Sequence, residues 1–250
     1  MVKKRLVASL ILRDGLIVQS VGFKHTNIIG DAITAISFFN QWAVDEIVLL
    51  DVSRDTKKRD RFYPIVEALS CKCFVPLTVG GWVTSVDEMR RLLRIGADKI
   101  VINTAAYRDP EFLKECARIF GNQCVVVSID VKRNQQGSRE VVIDRGREWT
   151  GRDPVEWARE ASTYAGEIYL TSVDHDGGLK GYDLELMRVV SAAVDVPVVA
   201  FGGVGEWSHL VDGITFGGVE AVAAANILHY KELSARRAKD HMRANNIDVR

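Results

Sequence analysis

A single (βα)8 barrel of the TIM type, an α/β fold closed from eight parallel strands, is what this sequence predicts, and three observations predict it. The first is an internal echo. Val75 to Trp82 reads Val-Pro-Leu-Thr-Val-Gly-Gly-Trp, and roughly 120 residues later Val196 to Gly203 reads Val-Pro-Val-Val-Ala-Phe-Gly-Gly. The second is that three further segments repeat in the same order: Val7 to Ile11 with Val126 to Asp130, Asp45 to Asp51 with Gly166 to Ser172, and Gly96 to Val101 with Gly218 to Ala223. The third is that strand-like runs alternate with helical stretches eight times over 250 residues, a length at which such barrels close as one domain. Two similar half-barrels, about 1–121 and 122–250, follow from the echo.

The elements can be justified in order. Leu6 to Leu12 is a first strand, apolar throughout because a parallel barrel strand is covered on both faces. Gln19 to Gly30 reads as a glycine-containing loop, either a lid over a site or an ordinary connection. A helix from Asp31 to Trp42 leads to a strand over Glu46 to Val52, and the charge run Asp55 to Arg61 reads as a solvated helix start. Ser85 and Asp87 suit the N-terminus of a helix reaching Ile95, followed by a strand over Lys99 to Asn103. Asp109-Pro110 and Asp153-Pro154 each pair a capping residue with proline at the first helical position. Cys124 to Val131 is the fifth strand, and the polar, Gly-punctuated stretch Asn134 to Gly151 reads as a small inserted hairpin. The sixth strand ends in Asp174-His175-Asp176-Gly177-Gly178, a helix starts at Asp183, and the last strands are Val196 to Phe201 and Ala221 to Asn226.

Composition narrows the function classes. Charges balance at 33 against 33, so no overall field draws nucleic acid or an anionic membrane, and any anion site must be local. The apolar run after Lys3-Lys4-Arg5 is short and lacks a cleavage-like end, so a strand is expected there instead of a signal peptide. Cys71, Cys73, Cys116 and Cys124 form no pair of CxxC elements; reduced thiols in the cytoplasm, with no metal and no cofactor, are expected.

In this fold the chemistry belongs to the carboxyl ends of the strands. Gly81 with Asn103 and Thr104, and Gly203 with Ala225 and Asn226, form two similar sets of exposed backbone N–H groups suited to phosphate, although a glycine pair can also simply turn the chain. Asp176 and Gly177 fit the second set as shapers of the site, and His175 beside them reads as a solvated side chain. Asp130 ends the fifth strand in the inward series Val126, Ser128, Asp130, where partial burial suits a general acid or base; the plainer role is an acceptor for a loop N–H. At the opposite strand ends, Arg5, Glu46, Lys99 and Glu167 share parity with interior residues, two of each sign. Buried there they must pair, and a ring closing the lower mouth is expected over four ordinary surface charges.

Leu77 to Gly81 (Leu-Thr-Val-Gly-Gly), Ala97-Asp98-Lys99, Ile102 to Ala106, Ser128 to Arg133 and Leu170 to Gly177 together resemble the cyclase subunit of imidazole glycerol phosphate synthase, the HisF family, in nearly gapless register over the whole chain. The resemblance implies a heterodimer with a glutaminase (HisH-type) docked beneath the barrel, near Asp98. It implies that ammonia enters through a gate matching Arg5, Glu46, Lys99 and Glu167, and that a bisphosphorylated substrate is held by two phosphate sites. One catalytic aspartate of the family matches Asp130. The other falls on Ile11, a loop lysine falls on Gln19, a third glycine falls on Trp82, and a small polar residue falls on Phe201. Losing a general acid commonly costs about 10²- to 10⁴-fold in rate. The departures all lie at the top and the gate is intact, which is similar to the second-copy paralogue that works beside a sugar amidotransferase building acetamidino groups on surface polysaccharide. The expectation is therefore an ammonia-conducting subunit with reduced or absent cyclase activity. The alternatives are a working cyclase of histidine biosynthesis and a non-catalytic scaffold that activates the glutaminase.

Overall fold

The barrel is closed in the computed structural model, which describes residues 3–55, 61–230 and 233–250, without the side chains of residues 25, 26, 40–42 and 230. Eight parallel strands form the wall: β1 (Arg5–Arg13), β4 (Glu46–Asp51), β5 (Leu77–Gly80), β6 (Lys99–Ile102), β7 (Val125–Arg133), β10 (Glu167–Ser172), β11 (Val198–Phe201) and β12 (Ala221–Ala224). Each pairs with the next, and β12 returns to β1 with Arg5 beside Ala221 and Ala8 beside Ala224. Helices α1 (Ala32–Trp42), α2 (Phe62–Ser70), α3 (Val86–Arg94), α5 (Pro110–Phe120), α6 (Pro154–Ser162), α7 (Leu184–Ser191) and α8 (Trp207–Thr215) connect them, with α10 (Ser234–Ala244) closing the chain.

The pleat sorts the apolar residues into two cores. Leu6, Leu10, Ile47, Leu77, Val127 and Leu170 point outward against the helices, while Val7, Val48, Val101, Val126, Tyr169 and Phe201 fill the bore. Local signals work as read at the helix starts. Asp31 accepts from the Thr34 amide, Ser85 from that of Glu88, Asp109 from that of Phe112, and Asp153 from those of Val155 and Glu156.

One expectation changes. Residues 19–30 are not a loop but most of an antiparallel ribbon, β2 (Leu16–Val21) and β3 (Lys24–Gly30), because Ile17, Val18 and Ser20 of β2 are buried, with an irregularity in the pairing at Val18, while the strand edges pair. The inserted hairpin exists as β8 (Arg139–Ile143) and β9 (Glu148–Trp149), and β8 pairs antiparallel with the long upper end of β7, making it an extension of the barrel wall. Short helices α4 (Thr104–Arg108) and α9 (Asn226–Tyr230) follow β6 and β12 directly. Of the charge run Asp55 to Arg61, residues 56–60 lie outside the described residues; Arg61 stands at the N-cap of α2. No helix among the described residues is long and apolar enough to cross a membrane.

Candidate functional site at the carboxyl ends of the strands

A cavity of about 600 Å³ opens at the carboxyl ends of the strands. Its floor is Asp130, Ser128, Thr171, Ile11 and Phe201; its walls are Gly81, Trp82, Asn103 and Thr104 on one side and Asp176 on another. Lys24, Arg54, Lys132, Arg145 and Arg147 also line it. Asp130 is 6% exposed, held by β7 at the level of Thr171 on β10. Its Oδ2 accepts from Asn103 Nδ2 at 2.8 Å, and Ser128 Oγ lies 3.5 Å from Oδ1. Burial raises its pKa to about 7; the Asn103 bond works against that rise, and the nearby charge of Asp176 adds to it. A carboxyl poised there exchanges a proton in either direction near neutrality. Ile11, 7% exposed on the facing strand, contributes only hydrocarbon.

The family described as histidine biosynthesis protein matches residues 5–234. The chain belongs to that family.

Within this histidine biosynthesis barrel the first predicted phosphate set, Gly81, Asn103 and Thr104, lines the cavity together. Asn103 spends its amide on Asp130, and Thr104 Oγ1 accepts from the Asp144 amide at 3.0 Å. Trp82 has φ of +58°, a region β-branched and bulky residues seldom enter, and its Nε1 donates to the Ser53 carbonyl at 3.0 Å. The Arg145 guanidinium lies 5.3 Å from the Trp82 ring centroid and also donates to the Ser53 carbonyl, at 3.4 Å. Asp144 is paired with Arg145 at 3.4 Å and Arg147 at 2.6 Å, which hold its carboxyl below the usual range against the opposing effect of burial. The β8–β9 turn thus places its own carboxylate and guanidinium groups along the wall that carries Thr104. Gly81 still needs its bare Cα, since a Cβ there would strike the Asp51 carbonyl.

Of the second predicted set, only Asp176 lines this cavity; Gly177, Gly203, Ala225 and Asn226 do not. Gly177 packs against the backbone of Ser20 and Val21, and Gly203 against the carbonyl of Gly181. Asp176 is the anchor of the β2–β3 turn: its Oδ2 accepts from Ser20 Oγ at 2.6 Å and from the Phe23 amide at 3.1 Å. His175 is half-buried, not solvated, with Nδ1 2.7 Å from the Gly181 carbonyl. Gln19 does not line the cavity and accepts instead from Asn27 across the ribbon at 3.3 Å. Sequence reasoning missed Lys24, Arg145 and Arg147; both cation groups lie in segments read only as a loop and a hairpin, with no motif to mark which side chains turn inward.

At the opposite mouth, Arg5, Glu46, Lys99 and Glu167 are the first residues of β1, β4, β6 and β10. Arg5 donates to Glu46 at 2.7 Å and to Glu167, and Lys99 donates to each of the same two carboxylates at 3.1 Å. The four close a ring of alternating sign in which every carboxylate oxygen has a cation. Burial alone would raise Glu46, but Arg5 and then Lys99 outweigh it and leave the carboxyl below its ordinary range. The same carboxylates lift the Arg5 guanidinium against its own burial. Beside the ring, exposed Asp98 accepts from the Leu77 amide at 2.7 Å on the outer rim. Among the described residues no group of three or more His, Cys, Asp or Glu is arranged to hold a metal ion.

Proposed function

We propose that this member of the histidine biosynthesis family is the ammonia-receiving barrel of a glutamine amidotransferase complex. A glutaminase docks on the amino-terminal mouth near Asp98, and ammonia passes the ring to the upper cavity. The observation that carries this reading is the ring itself. Three buried charges and a half-buried Lys99 on the axis of a barrel give no stability advantage over apolar packing, since desolvation offsets their attraction; a neutral, self-satisfied ionic closure suits a passage that admits a small neutral nucleophile and excludes ions. At the exit, hydrocarbon at Ile11 and the Trp82–Arg145 wall replace a second carboxylate and an open anion site, supporting an acceptor other than a bisphosphorylated ribulosyl intermediate. The acceptor chemistry that fits the second-copy paralogue is amidination of a surface-polysaccharide sugar with a sugar amidotransferase, carried out in the cytoplasm.

A second reading, an active cyclase, is favoured by one feature: Asp130, with its pKa at about 7, can both give and take a proton without Ile11. Supplying the purified protein with the formimino ribulosyl intermediate and an ammonium salt separates the two. The conduit reading expects turnover at least about 10²-fold below that of a two-aspartate cyclase, with Ile11→Asp raising it. Robust turnover by the unaltered chain overturns it.

A further inference from the structure

Between the ring and Asp130 the bore is not open. Around and above the ring it is filled by Val7, Val48 and Val126, and then crossed by Tyr169, 1% exposed and one inward step above Glu167 on β10, while Val101 already lines the upper cavity. Its hydroxyl lies 2.6 Å from Ser9 Oγ on β1, on the other side of the barrel. The Phe201 ring sits 5.3 Å from the Tyr169 ring, tilted by 37°, at the level of Thr171 and Asp130. Below this layer, Thr78 pairs in register with Val48 and Lys99, so its side chain faces the bore; its Oγ1 is buried without a hydrogen-bond partner.

We propose that the Ser9–Tyr169 hydroxyl pair, roofed by Phe201, is a selective barrier that divides the bore into a lower chamber behind the ionic ring and the upper cavity that holds Asp130. The barrier opens when a small neutral molecule with both a lone pair and N–H or O–H donors takes the place of the Ser9–Tyr169 bond. Ammonia can accept from the tyrosine hydroxyl and donate to the serine oxygen at once. Ammonium has no lone pair and cannot do so. Burial pushes the Tyr169 hydroxyl far above its ordinary range, so it stays a donor at working pH. The selectivity for ammonia rests on the proposed ammonia transfer; the division of the bore does not.

The division is tested without any partner. Thr78→Cys puts a thiol in the lower chamber, and its labelling by iodoacetamide, read by peptide mass spectrometry, is normalised to exposed Cys71. Labelling is expected to be at least about tenfold slower with Tyr169 present than in a Tyr169→Ala or, should that fold poorly, a Tyr169→Leu background. Equal normalised rates overturn the barrier. In the complex of the Ile11→Asp chain with a glutaminase, acting on the formimino ribulosyl intermediate, Tyr169→Phe is expected to lower glutamine-dependent turnover at least about fivefold while turnover on added ammonium salt, which enters from the top, is unchanged. An equal fall in both overturns the selective role. An Ile11→Asp complex that turns over with ammonium salt but not with glutamine defeats the ammonia reading while leaving the labelling result to decide the barrier.

Discussion

Asp130 is a buried carboxyl on the floor of the upper cavity. The protonated form is favoured in the folded chain, because its pKa is raised from 3.8 to about 7. Folding is therefore weakened as pH rises from about 4 to about 7, with no further loss above. The full penalty is on the order of 4 kcal/mol. Asp130→Asn keeps an oxygen for Asn103 and removes the titration, so its advantage over the unaltered chain should be absent at pH 4 and fully developed at pH 8. Urea denaturation at the two pH values measures it, and a constant difference would place the carboxyl in water. Ile11, on the opposite strand across the cavity floor, offers only hydrocarbon there.

At the scale of elements, the two antiparallel ribbons shape the cavity mouth. The β2–β3 turn is fastened by charge-assisted bonds to Asp176, and the β8–β9 ribbon by the fork of Arg139, whose Nε and Nη2 reach Asp183 at 3.0 and 2.7 Å. Ser20→Ala removes one bond to a charged acceptor, worth about 1.5–3 kcal/mol locally. Limited trypsin digestion should then cut after Lys24 several times faster than in the unaltered chain, with global unfolding nearly unchanged. Helix starts are more independent. Asp153→Ala uncovers the Val155 and Glu156 amides of α6 and should cost about 1 kcal/mol of unfolding free energy by chemical denaturation.

Across the whole molecule, the ring ties strands from both halves of the chain: β1, β4 and β6 to β10. Glu46→Ala leaves Arg5 and Lys99 each one partner short in a buried mouth and should destabilise the barrel by about 3–5 kcal/mol, measured by urea denaturation at pH 7. Because the Glu46 carboxyl is held below its ordinary 4.5, its contribution is fully present above that pH and is lost as pH falls further. The loss on substitution should shrink accordingly in acid.

The strand order, the inward parity of Asp130 and the four mouth charges could be read from residues because each depends on local rules: the two-residue period of a strand, the capping chemistry of a helix start, and the repetition of segments. The ribbon at 16–30 could not, since β2 and β3 gain their pairing and their anchor from Asp176, about 150 residues away in sequence. Nor could the fate of Thr104, Trp82 and Arg145, whose partners lie on different loops.

The sequence by itself determined that this chain closes as a (βα)8 barrel and which side chains face its axis, because periodicity and capping act over a few residues. Only the tertiary structure decided that four mouth charges satisfy one another as a ring, that Tyr169 meets Ser9 across the bore, and that Asp130 is buried enough to titrate near neutrality. Those outcomes depend on distances between strands far apart in sequence and on exclusion of water, which exist only once the barrel has closed.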